Sequence, residues 1–186
     1  MGIKHVPVAL AAAAASAVLP GCVAPWTRPL TGPILAAAPN RWGVAPDITF
    51  RDQEGRLRSL SSFYADATIV VFLEQPCTKA EAPLALGART LRGRVAFVEI
   101  CTPPGGCKDH HECVMRRGDK AKHLISLCDG TGLVRQWFGV STNSAVFVLD
   151  LFGAIVARGT MADLDRLIKK AEVMAQEAEA QRMQMY

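Results

Sequence analysis

Thr68-Ile-Val-Val-Phe-Leu-Glu-Gln-Pro-Cys77 is the stretch of sequence that decides the fold. Residues 68–73 form a continuous apolar, β-branched run, which is typical of a strand buried on both faces of a helix-covered sheet. A cysteine follows the run, and residues 78–91 have a helical composition. This order predicts that Cys77 lies at the carboxyl edge of an α/β sheet, where the sites of such proteins gather.

Strands and helices alternate along the rest of the chain from residue 46 onward. A hairpin is predicted at 48–50 and 57–60, and further strands are predicted at 94–100 and 124–127. A short helix at 132–138, a second hairpin at 145–149 and 154–157, and an amphipathic helix at 161–180 complete the pattern. Such alternation predicts an α/β fold with helices on the faces of a sheet.

The N-terminal segment, residues 1–21, has the pattern of a secretory signal peptide. Its apolar run of 14 residues, Val6 to Leu19, is too short to cross a hydrocarbon core of roughly 30 Å and suits a signal h-region. Gly21-Cys22 resembles the lipobox of bacterial lipoproteins. The resemblance implies that Cys22 is acylated and becomes the mature N-terminus. An ordinary cleaved signal with Cys22 in a flexible stub, or an uncleaved anchor, are the alternatives.

The pattern divides the chain into four parts. Residues 1–21 are the predicted signal peptide, and the proline- and alanine-rich residues 22–45 are a predicted lipid-anchored tether. The globular domain is predicted at 46–174, with a cysteine-rich insert at 101–120 and a C-terminal helix end or tail at 175–186. We therefore expect a lipid-anchored, periplasm-facing protein of the cell envelope. Val23 is not the Asp that retains related lipoproteins in the inner membrane, so an outer-membrane location is compatible with the sequence.

Composition excludes one class of partner. The chain has 21 Lys and Arg against 17 Asp and Glu, with no basic stripe or arginine run. A nucleic-acid partner is therefore not expected. The composition does not specify an oligomeric state.

Four stretches in order resemble the thioredoxin-fold redoxins, the group that holds peroxiredoxins, membrane-tethered thiol-disulfide oxidoreductases and Sco-type copper chaperones. The stretches are Pro46–Leu60, Thr68–Cys77, Cys128–Val140 and Ala145–Val156. The resemblance implies a thioredoxin-like three-layer sandwich, in which a central mixed β-sheet carries helices on both faces. It also implies that Cys77 is the reactive cysteine.

The chain departs from each of these families at the second functional position. Ala80 stands where a Cys-x-x-Cys motif would have its second cysteine, and Glu81 stands where a Sco-type Cys-x-x-x-Cys motif would have it. Residues 141–144 contain no histidine, so the Sco-type copper site is incomplete. Glu74 replaces the threonine that precedes a peroxiredoxin cysteine.

Cys77 nevertheless lies where a nucleophile is expected. Thr78 and Glu81 fit a capping box, which would point free N–H groups and the helix dipole towards the sulfur. Both effects favour the thiolate over the thiol. The alternative is that Cys77 is a small apolar residue at the end of a core strand.

The cysteines of the insert allow three interpretations. Cys101, Cys107, Cys113 and Cys128 are candidates for disulfide bonds, as expected in an exported domain. Cys101 or Cys107 could instead resolve a disulfide or sulfenic acid formed at Cys77. The third interpretation is a weak copper or zinc site, with the candidate ligands Cys107, His110, His111 and Cys113.

The sequence thus predicts thiol-disulfide or peroxide chemistry through Cys77, without a firm cofactor. The expected partners are an envelope thiol or disulfide protein, or a small oxidant, and the membrane through the N-terminal lipid. A Sco-like metal-binding accessory protein and a non-catalytic, disulfide-stapled binding module are the alternatives.

Overall fold

The structure, a computed structural model, describes residues 43–51, 56–74, 81–102, 123–141 and 144–185. The strands are β1 Thr49–Arg51, β2 Leu57–Ser59, β3 Ala67–Leu73, β4 Val95–Cys101, β5 Leu124–Cys128, β6 Ser144–Asp150 and β7 Ile155–Gly159. The helices are α1 Glu81–Thr90, α2 Leu133–Trp137 and α3 Leu164–Gln184, and short 3-10 turns occupy Leu60–Phe63 and Met161–Asp163.

Five strands form a mixed central sheet in the order β5-β4-β3-β6-β7. The strands β3, β4 and β5 are parallel to one another, whereas β6 is antiparallel to both β3 and β7. All seven residues of β3 are buried, which agrees with its continuous apolar sequence. The predicted mixed sheet is confirmed.

Each face of the sheet has its own core, because alternate residues of every strand point to opposite sides. Helices α1 and α3 cover one face, where Leu84 and Leu167 pack with Ile69 and Val71 of β3. The β1–β2 hairpin and α2 cover the other face, where Phe72 packs against the rings of Phe138 and Phe147. Helices therefore lie on both faces, as the sequence predicts.

Helix α1 lies very close to strand β4 at one point. An added Cβ at Gly87 would come within 2.8 Å of two ring carbons of Phe97. Glycine at this position therefore permits the close approach of the helix that follows the predicted reactive cysteine.

The C-terminal helix differs in its bounds from the predicted 161–180. It begins at Leu164, because Thr160 and Asp163 form a capping box around a single 3-10 turn. It continues to Gln184, where Arg182 makes a bidentate contact with Asp66 at 2.5 and 2.7 Å. This contact ties the last turns of α3 to the segment just before β3.

None of the helices in the described ranges is long and apolar enough to cross a membrane.

Candidate functional site

The sheet brings two cysteines side by side at its carboxyl edge. In the strand register Leu73 pairs with Cys101, and Cys101 pairs with Cys128. Ser144, the first residue of β6, pairs with Leu73 on its other side. We call these four residues the cysteine row. Cys77, the predicted nucleophile, follows Leu73 by four residues in the sequence.

Cys101 is a buried thiol, with no exposed surface. Its Sγ donates a hydrogen bond to Oε1 of Glu99 at 3.2 Å. Both side chains project from the face that α1 covers, because Cys101 belongs to that core and Glu99 lies two residues before it. A thiol in this place cannot meet a substrate in solution, and it can react only with a sulfur that is brought to it.

Glu99 is a functional candidate that sequence reasoning missed. Its side chain is completely buried in the sheet, between the register partners Val71 and Ser126. A buried carboxyl group needs a specific role or partner, because removal from water is costly for its charged form. The signal was present in the sequence, since Glu99 is the single charged residue within the apolar strand Val95–Cys101.

Cys128 is disulfide-bonded in the structure. The cysteine at the other end of this bond is not among the described residues, because Cys101 is a thiol. Register partners on neighbouring strands project from the same face of a sheet, so Cys128 lies on the same side as Cys101. The sequence left Cys101 open as a disulfide candidate. The structure instead contains its thiol form, buried and hydrogen-bonded to Glu99.

The residue after Cys128 fixes helix α2 against this edge. Asp129 is buried, and its Oδ2 accepts a hydrogen bond from the backbone N–H of Arg135 at 3.0 Å. The backbone N–H of Asp129 donates to the carbonyl of Cys101 at 2.8 Å. The Arg135 guanidinium lies 3.6 Å from the carboxylate of Glu74, three residues before Cys77. Helix α2 is thereby connected to both strands that lead to the predicted redox site.

One polar atom at this edge has no hydrogen-bond partner in the described part of the chain. It is the buried Oγ1 atom of Thr102, a half-buried residue that directly follows Cys101. A buried hydroxyl without a partner costs about 1–3 kcal/mol, and native structures contain few of them.

Six of the residues singled out by the sequence lie outside the described residues. They are Cys22, Cys77, Cys107, His110, His111 and Cys113. The predicted capping box at Thr78 and Glu81 is likewise not described. Within the ranges that the structure describes, no three His, Cys, Asp or Glu side chains are grouped to hold a metal ion.

Comparison with solved structures decides the fold. The peroxidoxin BcpB of Mycobacterium tuberculosis matches with a TM-score of 0.56 and 22% identity, over 72% of this chain and 94% of that one. The chain has a thioredoxin-like fold. A putative thiol:disulfide interchange protein DsbE of Chlorobium tepidum matches the same fold with a TM-score of 0.57 and 14% identity, over 72% of this chain and 99% of that one.

A third structure with this thioredoxin-like fold is a thiol-disulfide oxidoreductase of Bacteroides fragilis, with a TM-score of 0.51 and 20% identity. It covers 67% of this chain and 98% of its own length. No protein-family model matches the sequence, and no curated protein matches it either. The comparisons therefore establish the fold, and the chemistry has to be argued from the residues of the site.

Proposed function

We propose that this protein is an exported lipoprotein whose thioredoxin-like domain exchanges thiols and disulfides at the carboxyl edge of its sheet. The observation that carries the proposal is the cysteine row, where the thiol of Cys101 lies beside the disulfide-bonded Cys128. The strand spacing of about 4.8 Å falls within the range of Cα distances, about 4.4–6.8 Å, that a disulfide spans. Neighbouring sulfurs in both redox states support exchange chemistry at this edge.

Burial determines the order in which the cysteines act. Cys101 is enclosed by the core, so it is not the residue that attacks a substrate. Cys77, which follows β3, is the proposed attacking nucleophile. Its thiolate attacks one sulfur of a substrate disulfide, forms a mixed disulfide and releases the first substrate thiolate.

Cys101 then resolves the mixed disulfide. Its sulfur attacks Sγ of Cys77, the mixed disulfide breaks, and the second substrate sulfur leaves as a thiolate that takes up a proton. Two protein thiols are oxidised to one disulfide while one substrate disulfide is reduced to two thiols. An external dithiol in the envelope restores the protein. With a peroxide, the thiolate of Cys77 breaks the O–O bond and becomes a sulfenic acid, releasing an alcohol from an alkyl hydroperoxide or water from hydrogen peroxide; attack by Cys101 then releases water.

Glu99 is the proposed proton acceptor for the resolving step. The Cys101 thiol already donates its hydrogen to Oε1, at 3.2 Å. Loss of the proton to this oxygen creates the nucleophilic thiolate without contact with bulk water. Positioned acids and bases of this kind contribute rate factors of about 10²–10⁴.

The N-terminal segment supports the proposed location and partners. We propose that Cys22 carries the lipid and that the domain faces the periplasm, where disulfides persist. The proposed substrate is an envelope protein with thiols or disulfides, or a small oxidant. The reaction requires no metal.

The test uses the full chain in detergent micelles, with insulin as disulfide substrate, hydrogen peroxide as oxidant and dithiothreitol as reductant. Wild type is expected to accelerate reduction of at least one of the two. Cys77→Ser is expected to abolish the acceleration, and Cys101→Ser to accumulate substrate bonded to Cys77, seen by mass spectrometry. Ser144→Ala, in the same row, serves as the matched control and should turn over normally.

Two results would contradict the proposal. Full turnover in Cys77→Ser would exclude this residue as the nucleophile. Absence of turnover in wild type, with every cysteine other than Cys22 and Cys101 in a stable disulfide, would instead favour the non-catalytic binding module.

A further inference from the structure

The end of the sheet opposite to the cysteine row gathers the residues that precede the parallel strands. Asp66 precedes β3, Arg94 precedes β4 and His123 precedes β5. The turn at 151–153 joins this end, because Ala67 pairs with Asp150 in the register. We call this end of the domain, together with the last turn of α3, the amino edge. It lies roughly 20 Å from the cysteine row, the length of β3.

Large apolar side chains are exposed at this edge. Phe152 at the tip of the β6–β7 turn is 78% exposed, and its neighbour Leu151 is also exposed. Met183 and Met185 at the end of α3 are 71% and 75% exposed. Single exposed apolar residues are common, but several at one end of a domain mark a surface that meets another apolar phase.

Arginine side chains accompany these residues. Arg182 contacts Asp66, the residue just before β3, at the same end of the sheet as the β6–β7 turn. The side chain of Arg182 is about half exposed. Arg94 lies 4.0 Å from Glu179 and is also partly exposed. Arg92 is exposed on the turn between α1 and β4, beside a shallow pocket of about 180 Å³. Arginines at the border of an apolar surface suit the phosphate groups of lipids.

The N-terminal segment reaches the domain at the same edge. The backbone N–H of Ile155 donates to the carbonyl of Gly43, and Val44 forms an isolated β-bridge with Ala154. Val44 itself is exposed, next to the turn that carries Phe152. Whatever anchors the chain at Cys22 is therefore connected to the domain through its apolar edge.

We propose that the amino edge rests on the lipid surface to which the chain is anchored, so that the cysteine row faces away from the membrane. Phe152, Leu151 and Val44 enter the headgroup region, and the arginines contact lipid phosphates. This inference rests on the lipid anchoring that is part of the proposed function. It does not depend on the redox chemistry.

The length of the tether favours a lipid surface as the binding partner of the amino edge. Residues 23–42 span at most roughly 60 Å as an extended polyproline chain. A domain held at this distance meets the membrane continually, and it presents first the edge at which the tether enters. Aromatic and aliphatic side chains at that edge bind the membrane–water interface. A periplasmic partner of the same edge would have to displace the membrane.

The test uses the full acylated chain in vesicles of phosphatidylethanolamine and phosphatidylglycerol with brominated acyl chains, which quench nearby tryptophans. Phe152→Trp is compared with Val173→Trp, a position on α3 that is exposed and lies away from the amino edge. After subtraction of the wild-type emission, Phe152→Trp should lose at least half of its added fluorescence. The added fluorescence of Val173→Trp should be unchanged.

Equal, weak quenching of both variants would overturn the inference, because the domain would then stand off the membrane on its tether. Emission of Phe152→Trp that changes with protein density and not with brominated lipid would also overturn it, in favour of a second copy of the chain. Failure of wild type to float with vesicles would refute the anchoring itself. Insulin or peroxide turnover measured on the same samples reports on the redox proposal separately.

Discussion

The Cys101 thiol donates a hydrogen bond to the Glu99 carboxyl group, two residues earlier on the same strand and equally buried, with 3.2 Å between Sγ and Oε1. In the proposed function this contact is the route by which the thiol loses its proton. Cys101 lies next to Cys128, which is disulfide-bonded. The apolar pattern of β4 conceals this contact between a buried thiol and a buried acid.

Glu99→Gln is expected to slow the resolving step by about a hundredfold, because the amide accepts a hydrogen bond but does not take up the thiol proton. The measurement is the lifetime of the substrate bonded to Cys77, after mixing with a disulfide substrate over a range of pH. In the variant the lifetime should stay long at every pH, because bulk solvent does not reach the buried thiol. Ser126→Ala, which removes the neighbouring buried hydroxyl, is the control. Equal lifetimes in wild type and Glu99→Gln would show that the carboxyl group is only structural.

Gly87→Ala is expected to destabilise the domain. Alanine gains about 1 kcal/mol of helix propensity over glycine, but its Cβ would lie 2.8 Å from the Phe97 ring. Overpacking of this kind costs about 1–3 kcal/mol, so the clash outweighs the propensity. The measurement is the free energy of unfolding in urea. In the Phe97→Leu background the same change should be neutral or stabilising, and a higher Tm for Gly87→Ala alone would contradict the close packing.

Arg182→Gln is expected to loosen the end of α3 and to leave the rest of the domain unchanged. The bidentate contact with Asp66 is the described ion pair that ties the last turns of the helix to the segment before β3. Hydrogen exchange should accelerate in residues 178–184 while the Tm changes little. Arg166→Gln, which removes an ion pair with Asp163 at the other end of the helix, is the control. Identical exchange in the two variants would show that the contact is not what holds the helix end.

Tyr64 is expected to titrate well above an ordinary tyrosine. Burial raises the pKa of its hydroxyl from 10.0 to about 12, with smaller contributions from the negative charges of Asp47 and Asp150. The folded state thus holds this proton more strongly than the unfolded state. The stabilisation is complete below about pH 10, and it is lost as the pH rises through about 12.

The ultraviolet absorbance of the phenolate measures this titration, with Tyr64→Phe to subtract the other tyrosine, Tyr186. Asp47→Asn should lower the pKa of Tyr64, because it removes one of the two charges. A titration of Tyr64 near 10 in the folded protein would contradict its buried environment.

Local pattern was sufficient for most of the fold. The run at 68–73 is the buried strand β3, and Asp150–Gly153 is the turn of the second hairpin, because strand and turn signals depend on neighbours in the sequence. The end of α3 was not predictable in this way. Its last turns are held by Asp66, more than a hundred residues away.

The position of Cys101 directly opposite Cys128 in the strand register could not be predicted either. Packing across the sheet sets the register of parallel strands. The number of residues between two such strands in the sequence does not determine which residues lie opposite each other. Glu99 was overlooked for a related reason. A single acid within an apolar run stands out in the sequence, but only the structure shows that its side chain is buried and contacts Cys101.

Alternate residues of β4 belong to the two cores, and this limits the insertions and deletions that the strand can tolerate. One residue inserted or deleted between Glu99 and Cys101 would turn Cys101 from the helix-covered side to the side of the aromatic cluster around Phe72. The thiol would then lose both Glu99 and its neighbour on β5. The spacing of two residues between Glu99 and Cys101 should therefore stay fixed wherever the buried thiol keeps its acid.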